Sequence, residues 1–182
     1  LGALHGTPPL PAPGCVAPMR LQKAKLVLRG LDKPMGSRVM TLAGEASLPK
    51  GRAVSDPAAN GLRVLVRSVH GRVLMDSVLP AGDYASDARE GWKHRGTRQT
   101  TYKSAAGRDG ITKVVLKSKG ERLGVKLIAR KASVDVSPDD LPLSLQLTLD
   151  AASAATDDCV QTTFGGSETD ACLVLGDGSK VI

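Results

Sequence analysis

Aromatic residues are scarce in this 182-residue chain: Tyr84, Trp92, Tyr102 and Phe164 make up 2% of it. The hydrophobic content of 41% must therefore come mainly from Leu, Val, Ile and Ala, which predicts an aliphatic core. A platform that stacks bases or sugars usually needs several exposed aromatic rings. We therefore do not expect nucleic acid as a partner.

Several motifs that carry chemistry are also missing. The sequence contains no GxSxG, no phosphate-binding GxxxxGK[ST] and no CxxC. The three histidines, His5, His70 and His94, are far apart and none has metal-ligand spacing with a cysteine. No apolar run approaches the ~20 residues of a membrane span. The sequence thus predicts no catalytic residue, no metal site, no cofactor and no membrane span.

Three cysteines allow three pairings, and geometry favours one of them. If Gly165-Gly166 forms a two-residue hairpin turn, Cys159 and Cys172 are directly opposite each other on its two strands. That position suits a disulfide, so we predict the pair Cys159–Cys172; the alternative is two buried free thiols. Cys15 is then left over: it could pair with a segment absent from this sequence or with another chain, or stay free.

The hydrophobic pattern has a period of two and predicts an all-β protein. Residues 1–18 hold five prolines and are expected to form an extended leader. From there to residue 182 short apolar runs alternate with Gly, Pro, Asp and Asn, as in strands and turns. The clearest strand is Leu143–Asp150, whose leucines all face one way. We expect an antiparallel β-sandwich over residues 19–182.

The two halves of the chain follow a similar plan. Residues 25–82 and 113–166 each run from a strand that begins with a lysine, Lys25 or Lys113, through a turn glycine, a longer strand region and an Asp/Pro turn into two more strands. The order and spacing predict two duplicated four-stranded units. Residues 83–111 connect them, either as a crossover or as an extra hairpin.

Charge is distributed unevenly along the chain, whose net value is +7. Residues 93–131 carry twelve basic and two acidic residues, net +10, whereas residues 132–182 carry one basic and nine acidic residues, net −8. The basic stretch could attract an acidic polymer or the acidic end of another copy; the alternative is an ordinary solvated surface. The candidate binding residues are Trp92, Lys93, Arg95 and Tyr102 in the insert, and Lys113, Lys117, Lys126 and Arg130 after it.

Several runs of sequence point to a family. DPAANGLRVLV, the pair Gly91-Trp92, GITKVVLK, LPLSLQL and CVQTTF together resemble a β-rich domain repeated in uncharacterised exported bacterial proteins. The resemblance covers residues 15–175. It implies structural motifs and brings no activity or functional residue with it.

These observations predict a secreted, non-catalytic structural or interaction domain at the cell surface. It could self-assemble if the leader, residues 1–18, lies along the sheet edge of a neighbouring copy. The alternative is a binding module for an acidic or carbohydrate polymer. Trp92 discriminates between the two, because an exposed ring favours ligand binding and a buried one favours a scaffold.

Overall fold

The architecture is that of a computed structural model, which describes residues 14–15, 17–151, 155–156, 158–165 and 180–181. These residues form thirteen strands, one four-residue helix, α1 (Pro57–Asn60), and one 3₁₀ turn (Pro138–Asp140), so the predicted all-β class is confirmed. Among them no helix is long and apolar enough to cross a membrane. The strands are β1 (Gly14–Cys15), β2 (Met19–Arg29), β3 (Arg38–Ser47), β4 (Leu62–Ser68), β5 (Val73–Leu79), β6 (Glu90–Arg95), β7 (Gln99–Arg108), β8 (Ile111–Lys119), β9 (Arg122–Ala132), β10 (Leu143–Thr148), β11 (Ala155–Thr156), β12 (Cys159–Phe164) and β13 (Lys180–Val181).

Ten strands form one continuous hydrogen-bonded sheet in the order β5-β4-β10-β12-β2-β3-β9-β8-β7-β6. Adjacent strands in this sheet are antiparallel, except for β12 and β2, which are parallel. β13 also pairs with β2, and β1 pairs in parallel with β11 in a separate two-stranded ladder. The sheet is therefore mixed, which corrects the prediction of a purely antiparallel arrangement.

The sheet curls because β2 belongs to two ladders and the ends of the strand order meet. Met19 and Arg20 pair with β12, and the rest of β2 pairs with β3 around an irregularity between Gln22 and Lys25. At the far ends, the Trp92 ring nitrogen on β6 donates to the Pro80 carbonyl just after β5, at 2.8 Å. The result is half-barrel-like, with one apolar core, and it does not confirm the predicted sandwich.

β10, which pairs with β4 on one side and β12 on the other, has the alternating burial that its sequence predicts. Leu143, Leu145 and Leu147 of β10 are completely buried, and the residues between them are half-buried. β4 departs from its predicted alternation because Arg63 and Leu65 are also buried. The Arg63 guanidinium keeps its charge inside by bonding the carboxylate of Asp76 on β5, at 2.7 and 2.6 Å.

Residues 83–111 contain the hairpin β6–β7, which extends the sheet beyond β8. The next hairpin, between β7 and β8, pairs Arg108 with Ile111 and leaves Asp109 and Gly110 as its two-residue turn. Both turn residues have a positive φ, 49° and 85°. This is the conformation that matches the twist of adjacent strands, and Asp-Gly is one of the sequences that favour it.

The disulfide connects Cys15 to Cys159, whose Cα atoms are 5.9 Å apart, so the predicted pair Cys159–Cys172 is wrong. A local hairpin predicts the pair Cys159–Cys172, whereas the observed bond follows from a distant strand pairing. Val160 on β12 lies beside Met19 on β2, four residues after Cys15. Cys172 lies outside the described residues, together with the rest of residues 166–179, as do residues 1–13 of the leader.

Candidate anion-binding face

The two large aromatic residues of the predicted patch belong to the core. Trp92 on β6 and Tyr102 on β7 are opposite each other, and both are at most 1% exposed. Their ring centroids are 5.1 Å apart with a tilt of 54°, a favourable geometry for aromatic pairs. Neither ring can stack a ligand, so both stabilise the fold. Burial of Trp92 therefore counts against a binding module built on aromatic stacking, and a ligand on this surface would have to be held by charge and hydrogen bonds.

A polar cluster satisfies the Tyr102 hydroxyl beneath the surface. The hydroxyl donates a hydrogen bond to the Glu90 carboxylate, which also accepts a hydrogen bond of 3.1 Å from the Arg108 side chain. The hydrogen bond from Arg108, followed by that from Tyr102, lowers the pKa of Glu90. Burial, followed by the bond to Glu90, raises the pKa of the Tyr102 hydroxyl. The cluster holds β6 against β7 with its charge compensated internally.

The cations on β6 have different surroundings. The Lys93 ammonium lies 3.8 Å from the centre of the Tyr84 ring, where the negative face of the ring attracts it. Arg95 is exposed at the end of β6, beside Gln99 at the start of β7. Lys93 is therefore partly engaged within the chain, and Arg95 lies at the margin of the sheet.

The lysines of β7, β8 and β9 share one outward surface of the sheet. Inward residues such as Val114 and Leu127 are fully buried, so the residues that alternate with them point to solvent. Exposed lysines occupy several outward positions, including Lys119 at the end of β8, and we call four of them the lysine face: Lys103, Lys113, Lys117 and Lys126.

The register places these four lysines next to one another. Lys103 and Lys113 are direct cross-strand neighbours, and Lys126 is opposite Val115, between Lys113 and Lys117. Direct neighbours in an antiparallel pair have Cβ atoms roughly 5 Å apart, and diagonal neighbours roughly 7–8 Å. Like charges directly opposite each other destabilise a sheet.

No lysine of this face forms an ion pair with a carboxylate in the described part of the chain, whereas the arginines elsewhere commonly do. Arg38, Arg63 and Arg72 bond Asp135, Asp76 and Asp140 respectively. Arg130, also predicted as a binding residue, is exposed on β9, and its backbone N–H donates to the Gly110 carbonyl. Lys103 belongs to the face because the β7–β8 register places it opposite Lys113, and the sequence alone does not indicate this register.

A chain of polar side chains near α1 has the order of a catalytic triad but not its environment. His94 lies 3.6 Å from the Asp56 carboxylate and 3.3 Å from the Thr100 hydroxyl. The histidine and aspartate side chains are 44% and 49% exposed, and Asp56 also caps the backbone N–H of Ala58. Water competes for such exposed groups and weakens the pairing that a catalytic triad needs. Among the described residues there is also no cluster of three or more His, Cys, Asp or Glu that could hold a metal.

Comparisons with protein-family models, with curated protein sequences and with solved structures give no match to this chain.

Proposed function

We propose that this chain is a non-catalytic extracellular interaction domain that binds an acidic polymer through the lysine face. The observation that carries the proposal is the set of four adjacent, exposed lysines, two of which directly oppose each other and none of which has a carboxylate partner among the described residues. A polyanion on this surface would offset the repulsion between them, and several cations on one rigid sheet raise the local concentration of an acidic ligand.

An external polymer accounts for the face better than a second copy of the chain. Self-assembly through charge would need acidic side chains at the surface to meet the lysines. Asp135, Asp140 and Asp158, from the acidic C-terminal part, instead bond arginines of their own chain. Their charge is already compensated, which favours a partner that brings its own anions.

The disulfide supports the extracellular part of the proposal. Disulfides form and persist mainly in oxidising environments, such as the exterior of the cell. The Cys15–Cys159 bond connects parts of the chain 144 residues apart in sequence. The resemblance to exported bacterial proteins points in the same direction.

Titration calorimetry with polygalacturonate and inorganic polyphosphate tests the proposed function. We expect both to bind at low salt, with an affinity that falls steeply as salt rises from ~50 to ~200 mM. The double variant Lys103→Gln/Lys113→Gln should bind on the order of tenfold more weakly and depend less on salt, because two cationic contacts are lost.

Two controls distinguish a specific face from general positive charge. The variant Lys33→Gln/Lys50→Gln removes the same amount of charge from two exposed lysines that lie in loops outside the lysine face, and it should bind like the wild type. Neutral dextran should not bind. An equal loss in both double variants, or no polyanion binding at low salt, would contradict the proposal.

We also propose that the two halves of the chain arose by duplication. The order of strands supports this: within β5-β4-β10-β12 and within β2-β3-β9-β8, the strands assigned to the two repeats mirror each other. The third strands pair as β4–β10 and the second strands as β3–β9, both antiparallel. Antiparallel pairing of equivalent strands is the arrangement that a two-fold axis generates.

A further inference from the structure

A depression of about 390 Å³ opens on the outer surface of β2, β3, β8 and β9 and overlaps the lysine face, which supplies Lys117 and Lys126 to its lining. Its volume is at the lower end of the range for small-molecule sites. The side chains and backbone that matter for its chemistry are Lys23, Glu45, Val115, Lys117, Gly124 and Lys126.

Gly124, which has no side chain, is one of the residues that line the depression. Gly124 pairs with Lys117 on one side and with Glu45 on the other. A Cβ there would meet only the Lys117 carbonyl oxygen at 3.6 Å and the Lys117 Cβ at 3.9 Å, ordinary contacts, and its φ is not positive. Gly44 differs, since a Cβ there would approach Leu21 to 2.6 Å. The fold thus requires glycine at 44 but not at 124.

Lys23 contributes a cation from a locally strained backbone. It has a φ of 49°, unfavourable for a residue with a side chain, and it lies in the irregularity between Gln22 and Lys25. Strained positions of this kind cluster at binding sites. Here the irregularity adds a third ammonium group, beside those of Lys117 and Lys126, to the wall of the depression.

Glu45 restricts the chemistry of the ligand. Its carboxylate is 49% exposed and has one long contact, 4.0 Å, with Arg122. An ionised carboxylate accepts hydrogen bonds but cannot donate them, and it repels other anions. A ligand that fills the depression should therefore combine an anionic group for the lysines with hydroxyl groups that donate to Glu45.

We propose that the depression binds one acidic sugar unit, a uronate, of the polymer recognised by the lysine face. The sugar carboxylate would lie among Lys23, Lys117 and Lys126, its hydroxyls would donate to Glu45, and its apolar ring hydrogens would contact Val115. This sugar site rests on the proposed function, because the lysine face would bind the other sugar units of the same polymer.

The decisive variant is Gly124→Leu, which fills the depression without changing a charge. Titration with a short oligogalacturonate should show at least tenfold weaker binding, whereas inorganic polyphosphate should bind nearly as before. Ala105→Leu adds the same side chain at an exposed position of β7 and should bind oligogalacturonate like the wild type. Circular dichroism and thermal unfolding of both variants confirm that each is folded.

A second variant tests the role assigned to Glu45. Glu45→Gln should weaken oligogalacturonate binding but strengthen polyphosphate binding, because it replaces one of the two acceptor oxygens with an NH₂ donor and removes the negative charge. If Gly124→Leu binds oligogalacturonate like Ala105→Leu while Lys103→Gln/Lys113→Gln loses affinity, the sugar site is wrong and the lysine face stands. If the wild type binds no polyanion at low salt, the proposed function itself fails.

Discussion

Arginine and lysine have separate roles in this protein. Arg63 and Arg72 each place the planar fork of the guanidinium on a carboxylate through two bonds and join different parts of the chain. The lysines of the face carry a compact, strongly hydrated charge on a flexible stem, which suits an exposed surface that meets a variable polymer. The residue type therefore helps to separate structural cations from the cations available to a ligand.

Asp140 is the carboxylate whose environment yields the clearest pH prediction. Arg72 donates to it from the β4–β5 turn at 2.9 Å, and the backbone and side chain of Ser137 donate at 2.8 and 2.9 Å. The bond from Arg72, ahead of those from Ser137, lowers the pKa of Asp140 to about 2, from 3.8. Because the folded pKa lies below the unfolded one, this stabilisation is present above pH ~4 and is lost as pH falls towards ~2.

We expect Asp140→Asn to lower the free energy of unfolding by about 1–3 kcal/mol at neutral pH, the usual range for hydrogen bonds to charged groups. Urea unfolding between pH ~6 and ~2 checks this, and the difference from the wild type should shrink below pH ~4. Asp139→Asn, next to it and exposed, removes the same charge and serves as the control. A difference that stays constant with pH would show that ionisation of Asp140 is irrelevant.

The sequence predicts inward residues of single strands better than it predicts the binding site. The alternation in Leu143–Asp150 correctly identifies the buried leucines of β10, because burial of every second residue is a local pattern. Gly124 carries no comparable signal. Its importance depends on its neighbours Lys117 and Glu45, which are on two different strands.

The sequence predicts strand pairs whose strands are close along the chain, but it does not predict pairs of distant strands. The turn at Asp109-Gly110 follows from local residue preferences, and β7 and β8 pair around it. The parallel contact of β12 with β2 joins residues about 140 positions apart, and no local pattern specifies it. The wrong disulfide prediction has this cause, since the contact brings Cys15 to Cys159.

The disulfide can be verified by peptide mapping of the unreduced protein. Trypsin alone leaves Cys159 and Cys172 in one peptide, because no Lys or Arg lies between residues 131 and 180. Additional cleavage after Glu168 separates them. We expect a linked pair formed by residues 1–20 and 132–168, with Cys172 absent from it. A linkage between Cys159 and Cys172 would contradict the structure.

The same bond should stabilise the fold by restricting the unfolded chain. Its loop is long, and native disulfides typically contribute about 2–4 kcal/mol. We therefore expect Cys15→Ala/Cys172→Ala to unfold at lower denaturant concentration than Cys172→Ala alone. Cys172 is absent from both variants, so Cys159 cannot form a substitute bond with it.

At the scale of the whole molecule, the two predicted repeats do not form separate bodies. Strands of the first half, β3 and β4, pair along their length with β9 and β10 of the second half. The core is one cluster that takes residues from both, including Leu42 and Leu127, which are register partners. Each half alone would expose one edge of each ladder and half of this core.

This interlocking predicts how a divided chain behaves. A protease site introduced between Asp87 and Ala88, both exposed, separates residues 1–87 from 88–182 with little disturbance to the strands. After cleavage and reduction of the disulfide, we expect the two fragments to elute together in size-exclusion chromatography and to keep the β-sheet circular dichroism of the intact protein. Shared apolar burial and strand pairing, which are insensitive to salt, hold them together.

The fragments expressed separately provide the opposing measurement. Each should lack a cooperative unfolding transition, because it lacks the partner strands that complete its ladders and its core. Mixing them should restore the transition. Two fragments that elute apart after reduction, each with its own cooperative transition, would instead show two independent domains. The pairing of β3 with β9 and of β4 with β10 would then be dispensable for folding of either half.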